Sequence, residues 1–350
     1  MNKIRIAIIF GGCSSEYGIS LQSAYTVIQN LDQNRYEKIL IGITKEGAWY
    51  RFYGNPEQLL NDTWNNENDC VKAILSPSRD DQGIIEIREH KTKKTRVDVI
   101  FPVLHGKNGE DGTLQGLIEL SGLPLVGCGT LCSAVCMDKD RSHKLAAVAG
   151  VRVPNAIVID QELGETNLDD GCKKLSYPVF VKPVRAGSSY GVTKVENERQ
   201  LTEAINTAFF YDKKVIVEEA IEGFEVGCAI LGNKELVVGQ VDEIEVNNGF
   251  FDVTEKYEQK TSRIHMPARI NKSTEKRIKD VAVTIYKALD CKGFARVDMF
   301  LTPEGEIVFN EVNTIPSFSP HSRYPNMMKG IGYSYSKVLD CLIDLTLQSA

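Results

Sequence analysis

Apolar residues in the first third of the chain fall into short blocks. Ile4 to Phe10, Ile39 to Ile43 and Val97 to Val103 read as buried strands, and Ser20 to Asn30 and Thr113 to Ser121 as helices between them. That alternation predicts parallel α/β construction. Between Asn55 and Asp81 the pattern becomes polar and irregular, which predicts a peripheral insertion. A helix is expected over Ser133 to Ala149, stopped by Gly150 and Pro154. Next come two short apolar strands, Tyr177 to Pro183 and Val215 to Glu219, around a Gly/Ser loop and a helix from Glu198 to Tyr211. From Phe224 onward the runs "EVGCAILG", "ELVVGQVDEIEV", "GFARVDMFL" and "EIVFNEVN" have hairpin spacing and predict a mostly antiparallel sheet, with one long helix, Ser273 to Leu289, beside it.

The chain has 350 residues, 42% of them hydrophobic, which suits two or three domains. Its net charge of -6 and the lack of any basic run longer than Lys91 to Lys94 argue against a nucleic-acid partner. The first apolar run is too short to span a membrane and has no signal-peptide cleavage site, so a cytoplasmic protein is expected. Nine cysteines without a C-x-x-C pair do not form a disulfide or zinc pattern. Cys128, Cys132 and Cys136 recur every four residues and read as small apolar side chains on one helix face in preference to a metal site. "FGGCSSEYGIS" follows a strand and opens a helix but lacks G-x-G-x-x-G, which disfavours a nicotinamide enzyme and leaves anion or amino-acid binding open.

The C-terminal hairpin carries chemistry. Residues two apart in a strand point to the same side, so Phe309, Glu311 and Asn313 are expected to share one face and Val312 to take the other; one strand earlier, Arg296 and Asp298 share a face. A two-residue turn at Glu304-Gly305 would set Asp298 opposite Glu311 and Arg296 opposite Asn313. Facing carboxylates repel unless a cation lies between them, and an Asp/Glu/Asn oxygen set suits Mg²⁺. An Arg296 salt-bridge network without metal would leave the same pattern. "KPVRAGSSYGV", Lys182 to Val192, could cradle a phosphate, and Lys139 could add a charge. Glu218, Glu219 and Glu225 sit where carboxylates could accept from an adenine amino group or ribose hydroxyls.

In this order, "IIFGGCSSEYGISLQSA", "FPVLHGKNGEDGTLQG", "MDKDRSHK", "KPVRAGSSYGV", "VIVEEAIEGFEVG", "FFDVTEKY", "GFARVDMF" and "FNEVNTIPSFSPHSRYP" resemble the D-alanine:D-alanine ligase family of ATP-grasp enzymes over nearly the whole chain. The resemblance implies an α/β and α+β fold of three domains: an N-terminal parallel α/β domain (1–130), a small central α+β domain (131–214) and a C-terminal antiparallel sheet with helices (215–350). It implies ATP with two Mg²⁺ ions, Mn²⁺ being able to substitute, D-alanine and a second D-amino acid as substrates, and a homodimer. Glu16 resembles the residue that holds the first ammonium, linked to Ser188 and to Tyr257 of a closing loop, with His105 beside the first substrate. Lys139, Lys182, Ser189 and the loop residue Lys256 resemble phosphate ligands; Glu218, Glu219, Ile221 and Glu225 resemble base and ribose contacts. Asp298, Glu311 and Asn313 match the magnesium ligands, and Arg296 with a backbone N–H near Ser317 matches an oxyanion hole.

Four positions depart from the usual family pattern: Ala186 for Glu, Glu219 for Lys, Ser317 for Gly and Arg323 for Leu. "SRYP", Ser322 to Pro325, is similar to the D-alanine:D-serine ligases of vancomycin-resistant bacteria, in which Asp242 and Phe251 match further second-site positions. A guanidinium suits a hydroxyl-bearing acceptor, so D-serine is the expected second substrate and D-alanine the alternative. Tyr257, where D-lactate-using relatives carry His, argues against a depsipeptide product. A non-catalytic nucleotide-binding protein would lack the oxyanion arginine or a metal carboxylate, and this chain has both.

Overall fold

The structure, a computed structural model, describes residues 3–162, 175–246 and 262–349. Phe251, Lys256 and Tyr257 lie outside the described residues. Strand β1 (Ile4–Gly11) pairs in parallel with β2 (Tyr36–Ile43) and β7 (Val99–Pro102), and α1 (Tyr17–Asn30) is the crossover. Ile6 to Phe10 are wholly buried, as a strand covered on both faces must be.

The parallel part is smaller than the sequence suggests. Beyond β2, the strands β3 (Trp49–Phe52), β4 (Cys70–Leu75), β5 (Gly83–Arg88) and β6 (Lys91–Arg96) continue the sheet in antiparallel pairs, giving the order β6-β5-β4-β3-β2-β1-β7. The polar stretch from Asn55 to Asp81 therefore contains a strand of the sheet. Its anchor is a single aromatic: Trp64 is fully buried, meets Phe10 edge-on at 5.1 Å and donates its indole N–H to the Tyr17 hydroxyl at 2.8 Å. One such side chain outweighs a dozen polar neighbours that need only face water. The basic run Lys91 to Lys94 lies exposed on β6, the sheet edge, where charge blocks further pairing.

Helix α2 (Thr113–Ser121) forms as expected, but the single helix read over Ser133 to Ala149 is two: α3 (Thr130–Met137) and α4 (Lys139–Val148). Asp138 breaks them, extended at φ -89° and accepting from the Arg141 N–H at 3.0 Å, because a short carboxylate stabilises a helix start better than a helix interior. Lys139 thereby begins a helix instead of riding mid-helix.

A second, wholly antiparallel sheet has the order β10 (Thr193–Val195), β9 (Val179–Pro183), β11 (Lys214–Glu219), β8 (Ala156–Asp160), covered by α5 (Glu198–Phe209). β11 keeps this sheet going to Glu219, past the boundary expected at residue 214. The third sheet is also antiparallel, in the order β15 (Ser262–His265), β14 (Asp242–Val246), β12 (Phe224–Gly232), β16 (Phe294–Leu301), β17 (Ile307–Asn313), with β13 (Leu236–Val238) beside β12. Helix α6 (Lys272–Ala288) packs with Cys228 and Ile230 on one face; α7 (Arg323–Lys329) and α8 (Tyr335–Gln348) pack with Ala229 and Leu231 on the other.

The β16–β17 hairpin pairs Asp298 with Glu311 and Arg296 with Asn313, as the sequence predicts, but by a different route. The turn has three residues, Pro303 to Gly305, with Gly305 at φ +82°, so next to it Leu301 faces Ile307 and Met299 faces Phe309. A bulge at Asn310 then restores the expected pairing. Since one inserted residue exchanges faces, Phe309 joins Val312 in the core and does not share the face of Glu311 and Asn313.

Replacing Trp64 with Ala should cost about 3–5 kcal/mol of stability, measured by urea unfolding followed by circular dichroism. A loss under about 1 kcal/mol would mean that the 55–81 segment is not anchored through this side chain.

Candidate active site

The third sheet turns its polar face to a cavity of about 250 Å³ bounded by α1, the 184–192 loop and the segment after β17. On its floor, Arg296 grips Asp298 through Nε at 2.8 Å and Nη2 at 2.6 Å, and Asn313 Nδ2 donates to the same carboxylate at 3.0 Å. Arg323, at the start of α7, holds Asp242 in a two-pronged bond at 2.7 and 2.8 Å and gives its third arm to Glu225 at 2.8 Å. It also approaches Asp298 to 3.3 Å. Arg323 is buried and Arg296 largely so; burial works against their charge, but the facing carboxylates hold their pKa above the ordinary arginine value. Gly227 makes room: a Cβ there would sit 2.2 Å from Arg323 Nη2.

The opposite wall comes from residues around the first sheet and from the 184–192 loop. Glu16, just before α1, does not cap its own helix; its carboxylate takes the Ser188 hydroxyl from the 184–192 loop. Ser188 and Ser189 both sit at positive φ, +51° and +59°, strain that is tolerated where it aims groups at a site. Ser189 itself lines the neighbouring cleft. His105 is buried, with Nδ1 2.9 Å from the Ile315 carbonyl and Nε2 3.2 Å from Ser23 Oγ. The carbonyl can only accept, so Nδ1 carries the proton and Ser23 donates to Nε2. Burial lowers the His105 pKa, which keeps the ring neutral.

Beyond β17 the backbone N–H of Ile315 bonds Glu110, that of Phe318 bonds Ser23 and that of Ser319 bonds Ser322. The Ser317 N–H, among the described residues, has no such acceptor. Arg296 Nη1 likewise bonds no described residue, because Asp298 takes the other edge of the guanidinium. The Ser317 N–H and Arg296 Nη1 thus stand as two donors lining one cavity. Ser317 and Ser322 bond each other through their hydroxyls at 2.9 Å on its rim.

A larger cleft of about 380 Å³ opens between the second and third sheets and shares Glu225 and Glu311 with the first cavity. Lys139 donates to the Ala186 carbonyl at 2.9 Å and lies 3.6 Å from Glu311; Lys182 pairs with Glu218 at 2.6 Å. Burial alone would raise the Glu218 pKa, but Lys182 and the neighbouring His143 hold it below its usual range. One Glu218 oxygen, Oε1, has no hydrogen-bond partner although buried, so the cleft presents an ionised acceptor in want of a donor such as an exocyclic amine. Ile221 and Phe180 supply apolar lining. Glu219 lines the cleft too, yet its carboxylate is taken up by the N–H and side-chain amide of Asn155 at 3.0 and 2.9 Å. The donor chemistry suits a magnesium nucleotide: an orphaned carboxylate at one end, two ammoniums in the middle, and Asp298, Glu311 and Asn313 as oxygen ligands where the cleft meets the cavity.

The structure thus brings together every described residue that the sequence singled out. It adds His143, Arg269, Ser23 and Glu110. His143 Nε2 meets the carbonyl of the bulged Asn310 at 2.7 Å, and Arg269 ties Glu243 to Glu245 on the cleft wall. Serine on an amphipathic helix gives no signal, so Ser23 was illegible; Glu110 lies inside "HGKNGEDG" and could have been named from that motif.

Family models for the D-ala D-ala ligase N-terminus and C-terminus match residues 5–128 and 145–344. The chain belongs to the D-alanine–D-alanine ligase family. Members are ATP-dependent ligases, and this chain is an enzyme of that kind with the ATP-grasp fold. It is 44% identical to the vancomycin/teicoplanin A-type resistance protein VanA of Enterococcus faecium, over 99% of this chain and all of that one. It is 42% identical to a D-alanine–D-alanine ligase of Caldicellulosiruptor bescii, over 99% and 96%. The solved structure of the VanG D-Ala:D-Ser ligase from Enterococcus faecalis superposes with a TM-score of 0.92 at 56% identity, covering 99% of this chain and all of that one. As for other ligases of this family, the substrates are ATP and D-amino acids. Among the described residues no helix is long and apolar enough to cross a membrane.

Glu110 lines this ligase's cavity, half-buried, and accepts from the Gly106 and Ile315 N–H groups at 2.8 and 3.1 Å. Burial, then the charge of Glu16, raises its pKa from 4.5 to about 8. Between those values the folded state binds a proton that the unfolded state has released, so stability from this group falls as pH rises through the window. The melting temperature of the ligand-free protein should therefore decline from about pH 5 to about pH 8, and Glu110→Gln should flatten that limb. Parallel profiles for the two proteins would show that Glu110 is ionised throughout.

Proposed function

We propose that the enzyme joins D-alanine to D-serine through a D-alanyl phosphate, making peptidoglycan precursors with altered termini that confer vancomycin resistance. A carboxylate is a poor electrophile, so the γ-phosphoryl of ATP first passes to the D-alanine carboxylate, leaving ADP. The neutral amine of the second substrate then attacks the acyl carbon, the tetrahedral intermediate expelling phosphate as the peptide bond forms and the amine loses a proton. Glu16, oriented by Ser188, receives the ammonium of the first D-alanine, and neutral His105 packs beside it. Lys139, Lys182 and Ser189 bind phosphate; Glu218 accepts from the adenine amino group, and Glu219, Ile221 and Glu225 contact base or ribose. Arg296 Nη1 and the Ser317 N–H stabilise the tetrahedral oxyanion, a kind of donor whose loss typically costs on the order of 10² to 10³ in rate. Asp298, Glu311 and Asn313 would hold Mg²⁺, two ions being expected and Mn²⁺ being able to replace them, which would neutralise charge on the phosphates. Phe251, Lys256 and Tyr257 are proposed to complete the acceptor side and lid. A cytoplasmic homodimer of three-domain chains completes the proposal.

The observation that carries D-serine is Arg323. Three of its five N–H groups are committed to Asp242 and Glu225, which fixes the guanidinium at the cavity wall and leaves donors for an acceptor hydroxyl. The likeness to the VanG D-Ala:D-Ser ligase supports the same reading. The second reading, a D-alanine:D-alanine ligase, is favoured by the family's name and by relatives such as that of C. bescii.

Competition decides between them. With ATP, D-alanine and equimolar D-serine, D-alanyl-D-serine should dominate the products identified by mass spectrometry; predominance of D-alanyl-D-alanine establishes the second reading. Arg323→Leu should move the ratio of the two acceptors' kcat/KM toward D-alanine by roughly tenfold to 10²-fold. Leaving Asp242 buried without its partner will also lower stability, but a ratio measured within one preparation is independent of the fraction folded.

A further inference from the structure

Four thiols take no part in the ligase reaction. Cys128 precedes α3, Cys132 and Cys136 stand one turn apart on it, and Cys291 lies between α6 and β16. All four are buried. Their sulfurs converge: Cys132 Sγ is 3.6 Å from Cys291 Sγ and 3.8 Å from Cys136 Sγ, while Cys136 Sγ and Cys291 Sγ are 4.0 Å apart. The sulfurs of Cys128, Cys132 and Cys291 also all lie within 4.8 Å of one another. The three helix-spaced cysteines read as apolar filler in the sequence; the fourth is remote in the chain, so only folding reveals the quartet.

The spacing has chemical content. Any two of these sulfurs could be in ordinary van der Waals contact, but three at mutual distances of 3.6–4.0 Å with a fourth beside two of them outline a polyhedron. A tetrahedral zinc with Zn–S bonds of about 2.3 Å has S···S edges of about 3.8 Å, which the Cys132–Cys136–Cys291 triangle matches, while Cys128, within 4.8 Å of Cys132 and Cys291, would have to draw in toward Cys136 on binding. A disulfide would need about 2.05 Å, and an iron–sulfur cluster spreads its thiolates around several irons. At Cys128 the Lys292 N–H points at Sγ at 3.4 Å, and the thiol itself donates to the Lys292 and Phe294 carbonyls at 3.5 and 3.9 Å, contacts that metal binding would replace. The approach is also built in, because Gly293, at φ +71°, touches Gly127, at φ +106°, so closely that a Cβ on Gly293 would lie 3.0 Å from the Gly127 Cα. Two glycine turns in contact bring Cys128 and Cys291 together.

We propose that Cys128, Cys132, Cys136 and Cys291 form a structural tetrathiolate site for one Zn²⁺. Binding replaces four S–H bonds with four Zn–S bonds and releases the four protons to solvent. The ion clasps the segment leading into α3 to the turn that launches β16, five residues before Arg296. It serves stability and the placement of that strand, not the chemistry.

Protein expressed with added zinc and purified under reducing conditions without chelator should contain about one zinc per chain by mass spectrometry of the elements. Blocking the thiols should release it to a chromogenic chelator. Cys132→Ser and Cys291→Ser should fall below about a tenth of an equivalent, and Cys341→Ser, outside the cluster, should not. Zinc-free protein with reduced cysteines, a disulfide within the quartet, or zinc retained in Cys291→Ser overturns the proposal. Should the serine variants fail to fold, Co²⁺ added to metal-stripped wild-type protein decides: thiolate-to-cobalt charge-transfer bands support the site, and their absence overturns it.

Discussion

The active site rests on a buried ionic lattice across one face of the third sheet. Arg296 and Arg323 stand among Asp298, Asp242 and Glu225, two positive charges against three negative, with almost every oxygen engaged at bonding distance. Removing that many ions from water is costly, and such an arrangement survives only when bidentate geometry and further hydrogen bonds compensate. Here the compensation is geometric: strand neighbours β14, β12, β16 and β17 present their charged residues side by side, and α7 starts where Arg323 can reach three of those strands. The lattice keeps both guanidiniums in place before any substrate arrives, so little reorganisation is left for the reaction itself.

The same sheet joins two compartments. Glu225 and Glu311 face both the nucleotide cleft and the amino-acid cavity, so the γ-phosphate end of a bound nucleotide and the carboxylate it modifies meet at shared residues. Glu16 and His105 beside the first sheet, with Ser188 of the 184–192 loop, close the far side, and Glu110 and Ser23 bind the loop after β17 by its backbone. Substrate pocket and metal strand are therefore connected by hydrogen bonds between segments some two hundred residues apart in the chain, and a displacement of one is felt by the other.

Much of this was legible beforehand where local pattern and chemistry agree. Hydrophobic blocks placed β1, β2 and β7, and hairpin spacing announced the third sheet; counting from a two-residue turn reached the pairing of Asp298 with Glu311 only because the longer turn and the bulge offset each other. The failures share one cause, a single residue overriding a local average. Trp64 pulled a polar stretch into the first sheet, Asp138 divided a helix whose periodicity ran straight through it, and an extra residue at Asn310 moved Phe309 to the core. Arg323 was singled out as a substrate contact, but its role in tying three strands together was not, because its acidic partners lie far off in sequence. The convergence of Cys291 on α3 was hidden for the same reason.

The bulge in β17 bears on how such enzymes can diverge. Phe309 and Val312 must point inward and Glu311 outward, and a strand of strict alternation cannot satisfy all three. The extra residue resolves the conflict, so this hairpin tolerates changes of composition far better than changes of length. Gain or loss of one codon between the turn and Glu311 would leave the ladder able to form while trading oily and acidic side chains across it. Lineages drifting toward new acceptors are thus expected to vary the segment that follows Asn313 and to keep the residue count before it unchanged.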